Sequence, residues 1–431
     1  MTMELENLDL PEDWQVKSIR DVYSFTKKPR GLLLPSNGSV PFLPMEAIPI
    51  GRVRVSAFEE RLGSTLTSGT YVENGDLLVA KITPSFENGK QAIVSWKEPF
   101  GFATTEVIPL QEIEGVSDKF FLFHLLLHPA IRADLAGKMD GTTGRQRLSK
   151  EVLGGHLIPL PPLAEQLKIA AVLGLVQQAI EQQEGLIALT TELKKTLLHK
   201  LFTEGLRGEP QKQTDNGPVP QSWEVVTLQN VCSFLSGGTP SKQKPEFWSG
   251  SIPWVSPKDM KKPRLSDVVD HISEAALEDG SSLAPAGSVF VVIRGMILAK
   301  DVPVALTEVP MAFNQDMKAI IPGARLVPSF LLYALVAFKQ RLFQKVGRSA
   351  HGTMTLMSSE IAQFTIPLPD EHTQQEIASA IEAIERKHEQ HQRKRTALTT
   401  LFRTLLHQLM TAQIRVHNLD LPELVAHNGK E

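Results

Sequence analysis

The sequence predicts an α+β protein in which two mixed helix-and-strand domains alternate with two long helices that pair as an antiparallel coiled coil. Three observations lead to this prediction. The sequence contains an internal duplication, each copy begins with about 150 residues of short β-type runs, and each copy ends in a long proline-free helical pattern. Such a chain is a pseudo-two-fold internal repeat.

Duplicated segments lie in the same order in the two halves of the chain. Ile-Pro-Leu-Pro occurs at residues 158–161 and again at 366–369, and Thr-Leu-Leu-His occurs at 196–199 and again at 404–407, in both cases 208 residues later. At a spacing of 209 residues, Trp14 matches Trp223 and Phe121 matches Phe330. Because the matches keep their order along the whole chain, duplication explains them better than chance.

The repeat also predicts the domain boundaries. The first domain occupies residues 1–160 and the first spacer helix 161–210, whereas the second domain occupies 211–365 and the second spacer helix 366–415. Residues 416–431 form a tail, in which the Asn-Leu-Asp-Leu-Pro-Glu of residues 7–12 recurs at 418–423. The tail either packs near the N-terminus or is a frayed polar end, and the sequence leaves both interpretations open.

Each domain mixes short strands with one shorter helix. Runs of β-type residues bounded by Gly, Pro or Asn predict strands at residues 75–80, 91–96 and 287–293. Apolar segments at 118–127 and 328–338 predict a helix in each domain. This combination favours an α+β domain.

The long helices are the clearest prediction. Residues 164–203 contain no proline, and their seam positions alternate in steps of three and four, as in a coiled coil. Forty helical residues span about 60 Å. The seam of the first helix consists of Ile169, Val172, Val176, Ala179, Gln183, Leu186, Thr190, Leu193 and Leu197, and that of the second consists of Ile377, Ile381, Ile384, His388, His391, Arg395, Leu398, Phe402, Leu405 and Leu409.

Both seams turn polar at their middle, at Gln183 and Thr190 in the first helix and at His388, His391 and Arg395 in the second. Polar seam residues reduce stability but fix the register of the pair. Since each helix belongs to one copy of a duplicated unit, we expect the two helices to pair with each other. The alternative is two bundle helices in unrelated domains.

Composition restricts the class of protein. A length of 431 residues indicates two or more domains, and 42% hydrophobic and 22% charged residues are typical of a globular protein. The single cysteine, Cys232, excludes an intramolecular disulfide framework and a cysteine-rich zinc site. The acidic N-terminus does not resemble a signal peptide, and the longest apolar run, at 120–131, is too short to span a membrane. We therefore expect a cytoplasmic protein.

The formal net charge of −3 does not by itself suggest a nucleic-acid-binding protein. Residues 1–160 carry 17 Lys and Arg against 20 Asp and Glu, and residues 211–365 carry 15 against 13. Any DNA surface must therefore be a local patch on a balanced protein.

Motifs of catalysis and metal binding are absent from the sequence. There is no Walker A segment, no Gly-x-Gly-x-x-Gly and no Asn/Asp-Pro-Pro-Tyr. His124 and His128 are four residues apart, but the three leucines between them favour an apolar helix face over a metal site. His388 and His391 fall on the seam, so packing explains them better than metal binding. We expect neither a catalytic residue nor a metal site in this chain.

Several motifs resemble those of the specificity subunits of type I restriction–modification systems. The resembling segments are Pro-x-x-Trp-Glu-Val at 220–225, Ser-Gly-Gly-Thr-Pro-Ser at 236–241, Trp-x-Gly-x-Ile-Pro-Trp-Val-Ser at 248–256, Lys-Asp-Met at 258–260, and Ile-Pro-Leu-Pro followed by Glu165 and Gln166. The resemblance covers essentially the full length. It implies two target-recognition domains, one for each half of a split site on double-stranded DNA, held apart by two conserved helices.

The two copies also depart from each other. The first domain has Ser-Phe-Thr-Lys-Lys-Pro-Arg-Gly at 24–31 in place of the Ser-Gly-Gly-Thr-Pro element, which is expected if the domains read different bases. The second helix opens with Asp-Glu-His-Thr-Gln at 370–374, without the Glu-Gln pair.

Polar and basic loop residues are the candidates for DNA contact. Arg145, Gln146, Arg147 and Arg294 suit base edges, and lysines suit phosphates. For each residue, an ordinary solvated charge is the alternative. The candidates are Lys27, Lys28, Arg30, Lys81, Arg145, Gln146 and Arg147 in the first domain, and Lys242, Lys244, Lys258, Lys261, Lys262, Arg264, Arg294, Arg348, His351 and Thr353 in the second.

The resemblance further implies partner subunits. Two methylation subunits, which hold S-adenosylmethionine, would dock on this chain, and restriction (motor-nuclease) subunits using ATP and Mg²⁺ would join for cleavage, so that this chain itself binds no cofactor. Apolar residues beside the seam fit either docking or inner packing, namely Leu163, Leu167, Leu173 and Leu201. The competing hypothesis is a coiled-coil scaffold whose two α+β heads bind proteins.

Overall fold

The computed structural model describes residues 10–34, 38–55, 57–66, 68–142, 144–348 and 352–419. The chain divides into two compact units. Unit 1 consists of Met1–Leu186 and His391–Glu431, and unit 2 consists of Ile187–Gln390. Because this division cuts both long helices, the boundaries predicted from the repeat stay a prediction. The predicted mixture of helices and strands is confirmed in both units.

The domain of unit 1 is built from short strands and four short helices. Its strands are β1 (Gln15–Ser18), β2 (Tyr23–Phe25), β3 (Ser39–Leu43), β4 (Glu59–Leu62), β5 (Thr70–Glu73), β6 (Leu77–Ala80), β7 (Gln91–Ile93), β8 (Phe100–Ala103), β9 (Val107–Glu112), β10 (Asp140–Thr142), β11 (Arg145–Arg147) and β12 (Leu157–Leu160). Its helices are α1 (Ile19–Val22), α2 (Lys119–Leu125), α3 (Pro129–Gly137) and α4 (Lys150–Gly155). The strands predicted at 75–80 and 91–96 correspond to β6 and β7.

Two four-stranded sheets form the centre of this domain, with strand orders β4-β3-β8-β5 and β2-β9-β6-β7. β6 is buried along its whole length, which explains its continuous apolar sequence. β1 pairs with β12 antiparallel, so the first strand of the domain closes on the last. The first long helix, α5 (Leu163–Glu204), follows directly after Pro161 and Pro162. This confirms the helix predicted at 164–203.

Unit 2 repeats this order of elements. Its strands are β13 (Gln211–Thr214), β14 (Gly217–Pro220), β15 (Glu224–Thr227), β16 (Cys232–Ser236), β17 (Ile252–Val255), β18 (Arg264–Leu265), β19 (His271–Ile272), β20 (Ser282–Ala284), β21 (Val289–Val292), β22 (Val304–Thr307), β23 (Met311–Phe313), β24 (Met317–Pro322), β25 (Gly347–Arg348), β26 (Met354–Thr355) and β27 (Thr365–Leu368). Its helices are α6 (Leu228–Val231), α7 (Glu274–Glu278), α8 (Pro328–Ala337), α9 (Lys339–Gln344) and α10 (Ser358–Ala362), and the second long helix is α11 (Glu371–Met410).

The sheets of unit 2 correspond strand by strand to those of unit 1. Their orders are β16-β24-β21-β22-β18 and β19-β17-β23-β20, and β15 pairs with β27 as β1 pairs with β12. Among the described residues, unit 2 adds the β13–β14 hairpin, and at the sheet edge where β18 lies unit 1 has an isolated parallel bridge between Arg54 and Ile93. The duplication in the sequence is therefore a duplication of topology.

The two long helices pack against each other within each unit, and the residues that meet run in opposite order. In unit 1, Nδ1 of His391 lies 2.9 Å from Oε1 of Gln183. In unit 2, Nδ1 of His388 lies 3.0 Å from the hydroxyl of Thr190, and Lys194 binds Glu385. Rising numbers on α5 thus meet falling numbers on α11, and the polar residues at the middle of both seams do meet.

The seam predicted for α5 is confirmed at Gln183 and Thr190, but Leu186 and Leu193 are not buried in it. Leu186 and Leu193 are 36% and 50% exposed, whereas Lys194 is directed toward Glu385 on α11. The ion pair between Lys194 and Glu385 places a charged residue where the spacing of leucines predicted an apolar one. On α11, Arg395 is exposed and lies 3.3 Å from Glu184.

A glutamine joins each domain to the first turn of its long helix. In unit 1, the amide of Asp118 donates to Oε1 of Gln166 at 3.0 Å, and Nε2 of Gln166 donates to the carbonyl of Pro161 at 2.9 Å. In unit 2, Gln374 accepts from the amide of Val327 at 2.8 Å. Both glutamines are buried and hydrogen-bonded. They lie 208 residues apart and make the same attachment in the two copies.

Two of the four leucines considered for partner docking are core residues. Leu173 is fully buried, and Leu201 packs with Phe202 in the core of unit 2. Inner packing is therefore the correct interpretation for these two. Leu163 and Leu167 are half-buried and line a surface cleft of unit 1.

Candidate nucleic-acid interface

A two-stranded hairpin in unit 1 gathers basic residues that are far apart in the sequence. β10 pairs with β11, and Arg147 on β11 forms a bridge with Ile82 in the loop after β6. The amide of Leu148 donates to the carbonyl of Lys81 at 2.7 Å. These contacts bring together four of the predicted residues, namely Lys81, Arg145, Gln146 and Arg147.

The hairpin presents its arginines to solvent. Arg145 is exposed, and 65% of the Arg147 side chain is accessible, with its Nη2 2.8 Å from Oε1 of Glu106. The turn requires a glycine at position 141, because a Cβ on Gly141 would lie 2.5 Å from the carbonyl oxygen of Arg145. A two-stranded ribbon fits the major groove of DNA, and guanidinium groups on it can donate two hydrogen bonds to a guanine edge.

Unit 2 has a hairpin at the corresponding place, formed by β25 and β26. Arg294, which follows β21, forms a bridge with Thr355 on β26. The amide of Leu356 donates to the carbonyl of Ile293 at 2.8 Å, as the amide of Leu148 does in unit 1. The hairpins are thus attached in the same way to equivalent loops.

The side chains of the second hairpin differ from those of the first. Arg348 is exposed, and its Nε donates to the carbonyl of Gly352 at 3.3 Å, whereas Thr353 is half-buried. The candidate His351 lies outside the described residues. The two units share the backbone of this surface but present different side chains on it.

A carboxylate stands beside each hairpin at an equivalent position. Glu106, directly before β9, pairs with Arg147, and Oδ1 of Asp316, directly before β24, lies 3.9 Å from Nη1 of Arg294. A carboxylate beside an arginine orients the guanidinium group and balances its charge. The surface therefore carries oriented arginines without a large local excess of positive charge, which agrees with the small net charge of the chain.

The Ser-Gly-Gly-Thr-Pro loop borders the same surface in unit 2. The hydroxyl of Thr239 donates to the side chain of Gln315, which is exposed and adjacent to Asp316. A Cβ on Gly237 would lie 2.2 Å from the carbonyl oxygen of Asn314. Glycine is therefore required there because the loop lies directly against the β23–β24 connection.

The basic residues after β2 lie near the strand that leads to Glu106. Nζ of Lys28 is 5.5 Å from the centre of the Phe102 ring on β8, and Glu106 is in the loop that follows β8. The three basic residues after β2, Lys27, Lys28 and Arg30, are exposed, whereas Lys81 after β6 is half-buried.

The lysines predicted in unit 2 are all exposed, but two of them carry an acidic partner. Nζ of Lys244 lies 3.3 Å from Asp279, and Nζ of Lys258 lies 2.6 Å from Asp270. The hydrogen bond to Asp270 raises the pKa of Lys258, so this side chain stays charged. The exposed lysines are Lys242, Lys244, Lys258, Lys261 and Lys262.

Arg264 is engaged inside unit 2. It binds Glu382 on α11, and its Nη2 donates to the hydroxyl of Ser329 at 2.8 Å. These contacts direct the side chain toward α8 and α11, and we therefore leave Arg264 out of the proposed DNA contacts.

The residues predicted from the sequence are mostly basic, and the polar residues that hold them in place are not predicted. Glu106, Asp316 and Gln315 were not among the candidates, although all three lie on the candidate surfaces. Glu106 and Asp316 are 210 residues apart, so an acidic residue recurs in both copies close to the spacing of the repeat. Comparing the copies for recurring acids would have found this pair.

The part of the chain that the structure describes contains neither a metal-binding cluster nor a membrane-spanning helix. No group of three or more His, Cys, Asp or Glu side chains there could hold a metal ion. Nor does any helix of those residues have the length and apolarity needed to cross a membrane.

Comparison with known proteins identifies the class of this double-domain architecture. A family model described as a type I restriction modification DNA specificity domain matches residues 11–190 and again residues 220–400. The two matches account for most of the chain and coincide with its two copies. The chain belongs to the family of type I restriction–modification specificity subunits, which are the DNA-recognition components of these systems and are not catalytic themselves.

Relatives and solved structures agree with this assignment. The specificity subunit of the type I restriction enzyme EcoR124I/EcoR124II from Escherichia coli is 36% identical over 161 residues, which are 37% of this chain and 40% of that protein. The MjaVIII specificity subunit from Methanocaldococcus jannaschii is 22% identical over 430 residues, covering 97% of this chain and 96% of that protein.

The fold is similar to two solved structures. The S subunit of a type I restriction–modification system from M. genitalium aligns with a TM-score of 0.58 at 16% identity, covering 95% of this chain and 99% of that chain. A chain from a type I R-M system, solved to describe complex assembly and conformational transition, aligns with a TM-score of 0.53 at 19% identity, covering 94% and 100%.

Proposed function

We propose that each unit binds one half of a bipartite DNA target and that the paired long helices set the gap between the halves. The observation that carries this proposal is the pair of equivalent hairpin surfaces with different side chains. A shared backbone would dock both units on the duplex in the same way, and different side chains would select different bases.

The hairpins supply the base contacts in this proposal. Arg145 and Arg147 in unit 1, and Arg348 with the adjacent Arg294 in unit 2, donate to guanine edges, and Gln146 can pair with adenine. The exposed lysines contact phosphates and orient the units, because a lysine is a point charge without base-specific geometry. Pairing with Glu106 and Asp316 limits attraction to phosphates at random sites, which favours specific over non-specific binding.

In this proposal, the paired long helices fix the distance between the DNA contacts of the two units. α5 has 42 residues, which corresponds to about 63 Å of helix. Once one unit has bound its half-site, the second contact becomes intramolecular, so two moderate interactions combine into one of high affinity. The distance between half-sites is then set by the protein and not by the sequence of the gap.

The long helices also dock the partner subunits in this proposal. Their exposed apolar residues would contact two methylation subunits, which hold S-adenosylmethionine, and restriction subunits using ATP and Mg²⁺ would join that complex in the cytoplasm. The exposed leucines of the two helices are Leu175, Leu186 and Leu401 in unit 1 and Leu189 and Leu193 in unit 2. Large exposed apolar side chains on a helix commonly mark a surface that a partner covers.

Selection of duplexes from a random DNA library, with the chain assembled with its methylation subunits, tests the function. The bound duplexes should contain two conserved half-sites separated by a gap of fixed length and unconserved sequence. Binding should fall steeply with salt, since phosphate contacts release counterions. A single undivided motif would contradict the bipartite arrangement. No sequence enrichment, with binding independent of salt, would favour the scaffold hypothesis.

A further inference from the structure

A cluster of charged and polar side chains fastens the second domain to both long helices. Arg264 on β18 binds Glu382 on α11. One turn further along α11, Glu385 accepts a hydrogen bond of 2.6 Å from the hydroxyl of Tyr333 on α8 and pairs with Lys194 on α5. We call these five residues the ionic clasp.

The ionic clasp is shielded from solvent. Tyr333 is 1% exposed, and the side chains of Arg264, Glu382, Glu385 and Lys194 are each less than one-third exposed. Burial, reinforced by the neighbouring carboxylate of Glu385, raises the pKa of Tyr333 far above its ordinary value, so its hydroxyl remains a donor. Charge-assisted hydrogen bonds in such surroundings are stronger and more directional than exposed ion pairs.

Two separate elements of the domain enter the ionic clasp. Arg264 lies on the edge strand β18, where unit 1 has only an isolated parallel bridge between Arg54 and Ile93. Tyr333 lies on a helix that unit 1 also has as α2. Ile377, Ala378 and Ile381 of α11 also pack in the apolar core of this domain, and the ionic clasp adds directional polar contacts to that attachment. Two contacts on different elements oppose rotation of the domain about α11.

Unit 1 has none of these pairs at the equivalent positions. With the spacing fixed by the two attaching glutamines, Glu382 corresponds to Gly174 and Glu385 to Gln177. Tyr333 corresponds to His124, and Lys194 to Phe402. The rings of His124 and Phe402 lie 6.0 Å apart, so apolar packing replaces the ion pair. The ionic clasp is therefore a property of the second copy and not a general requirement of the fold.

From this difference we infer that Arg264 and Tyr333 are positioning residues that fix the orientation of the second domain on the helix pair and thereby restrict the gap between half-sites. This inference rests on the proposed bipartite binding. A change of one base pair in the gap moves a half-site by about 3.4 Å along the duplex and about 35° around it. A domain held by the ionic clasp resists that rotation, whereas a domain without it can follow the half-site.

Competition between duplexes tests this inference, using the chain assembled with its methylation subunits. The duplexes carry the selected half-sites with the preferred gap or with one base pair more or fewer. Arg264→Gln, Glu382→Gln and Tyr333→Phe are compared with wild type. Arg325→Gln is the matched control, because Arg325 pairs with Glu224 elsewhere in unit 2 and both side chains are more than half exposed.

The three clasp variants should reduce the preference for the correct gap roughly tenfold. Their preferred bases in each half-site should not change. Arg264→Lys, which keeps the charge, should recover part of the preference, and Arg325→Gln should behave as wild type. Each of the three variants removes a different group from the ionic clasp. If one variant fails to fold, the gap preference of the other two still tests the inference.

An unchanged gap preference in folded clasp variants would overturn the inference while leaving the bipartite function intact. A change in the preferred bases would also overturn it, because Arg264 or Tyr333 would then act in base recognition. If the wild type selects no bipartite site at all, the proposed function fails first, so the two failures are distinguishable.

Discussion

Unit 1 and unit 2 each attach their domain to a long helix through an equivalent buried glutamine, Gln166 or Gln374, yet the contacts around these two glutamines differ in kind. In unit 2 the ionic clasp spans the domain and both helices. In unit 1 the corresponding region contains His124 and Phe402, and Nε2 of Gln177 donates to the carbonyl of Gly51 at 2.6 Å. The comparison shows that the two copies share the glutamine contact, while the contacts around it differ between them.

Unit 1 places its main ionic contact at the start of α5. Glu165 is 2% exposed and accepts hydrogen bonds from Nε1 of Trp14 at 3.1 Å and from Arg415, which also binds Asp13. Burial disfavours the charged form, but the hydrogen bonds from Arg415 and Trp14 hold the pKa of Glu165 below its ordinary value. Val416 is buried in the same core. Residues 420–431 lie outside the described residues, so the packing of the tail as a whole stays a prediction.

The largest difference between the units should follow from removing Glu165. Glu165→Ala leaves Trp14 without its acceptor and Arg415 without its most buried partner, which should cost about 2–4 kcal/mol of stability in unit 1. The equivalent Thr373→Ala in unit 2 removes one exposed hydrogen bond to Asp370 and should cost less than about 1 kcal/mol. Hydrogen exchange of the amides in each unit measures the loss of stability caused by each of the two substitutions. Equal losses would show that the two helix starts are equivalent.

A smaller effect is expected at the equivalent pair Tyr333 and His124. Tyr333→Phe removes a hydrogen bond to a carboxylate and should destabilise unit 2 by about 2 kcal/mol. His124→Leu keeps the side-chain volume, and Nδ1 of His124 is buried with no partner among the described residues, so the change should stay within about 1.5 kcal/mol at pH 7.5. Denaturant unfolding gives the free energy of unfolding of each variant. A larger loss of stability in His124→Leu than in Tyr333→Phe would contradict this prediction.

A further effect concerns the pH dependence of stability in unit 1. Burial lowers the pKa of His124 to about 3 and that of His128 to about 4, the latter with a contribution from His407. The unfolded chain binds these protons below about pH 6.5, so stability falls as the pH decreases from 6.5 toward 4, by at most about 1.4 kcal/mol per pH unit for each histidine. His124→Leu should remove one of these contributions.

The stability difference between His124→Leu and wild type should therefore shift in favour of the variant as the pH falls. Burial also raises the pKa values of Asp76 and Asp118 to about 6, which acts in the opposite direction over part of this range. Both carboxyl groups are present in the two proteins, so their contribution cancels in the difference. Parallel pH profiles for the two proteins would contradict a neutral buried His124.

The sequence predicted the repeated architecture and both long helices because repetition and apolar spacing are properties of the chain itself. It did not predict that Lys194 rather than Leu193 faces α11, because that choice depends on Glu385, 191 residues away. Burial of Leu173 could not be separated from partner docking for the same reason. Local periodicity predicts a helix but not which side chains its neighbour accepts.

The candidate surfaces were only partly predictable. The sequence predicts DNA contacts for the basic or polar segments at Lys81, at Arg294 and in the two hairpins, and the structure brings each loop against its hairpin. The same pattern predicts a DNA contact for Arg264, which is instead bound to Glu382. Charge in a loop does not distinguish a residue that meets solvent from one that meets an acid on a distant helix.

Sequencing the duplexes selected by two hairpin variants tests the central claim most directly. In Arg145→Ala/Arg147→Ala, conservation should weaken in one half-site only, with about 1–3 kcal/mol lost for each base contact removed. In Arg294→Ala/Arg348→Ala, it should weaken only in the other half-site, with the gap unchanged. If either variant altered both halves together, or neither half, the assignment of one half-site to each unit would be wrong.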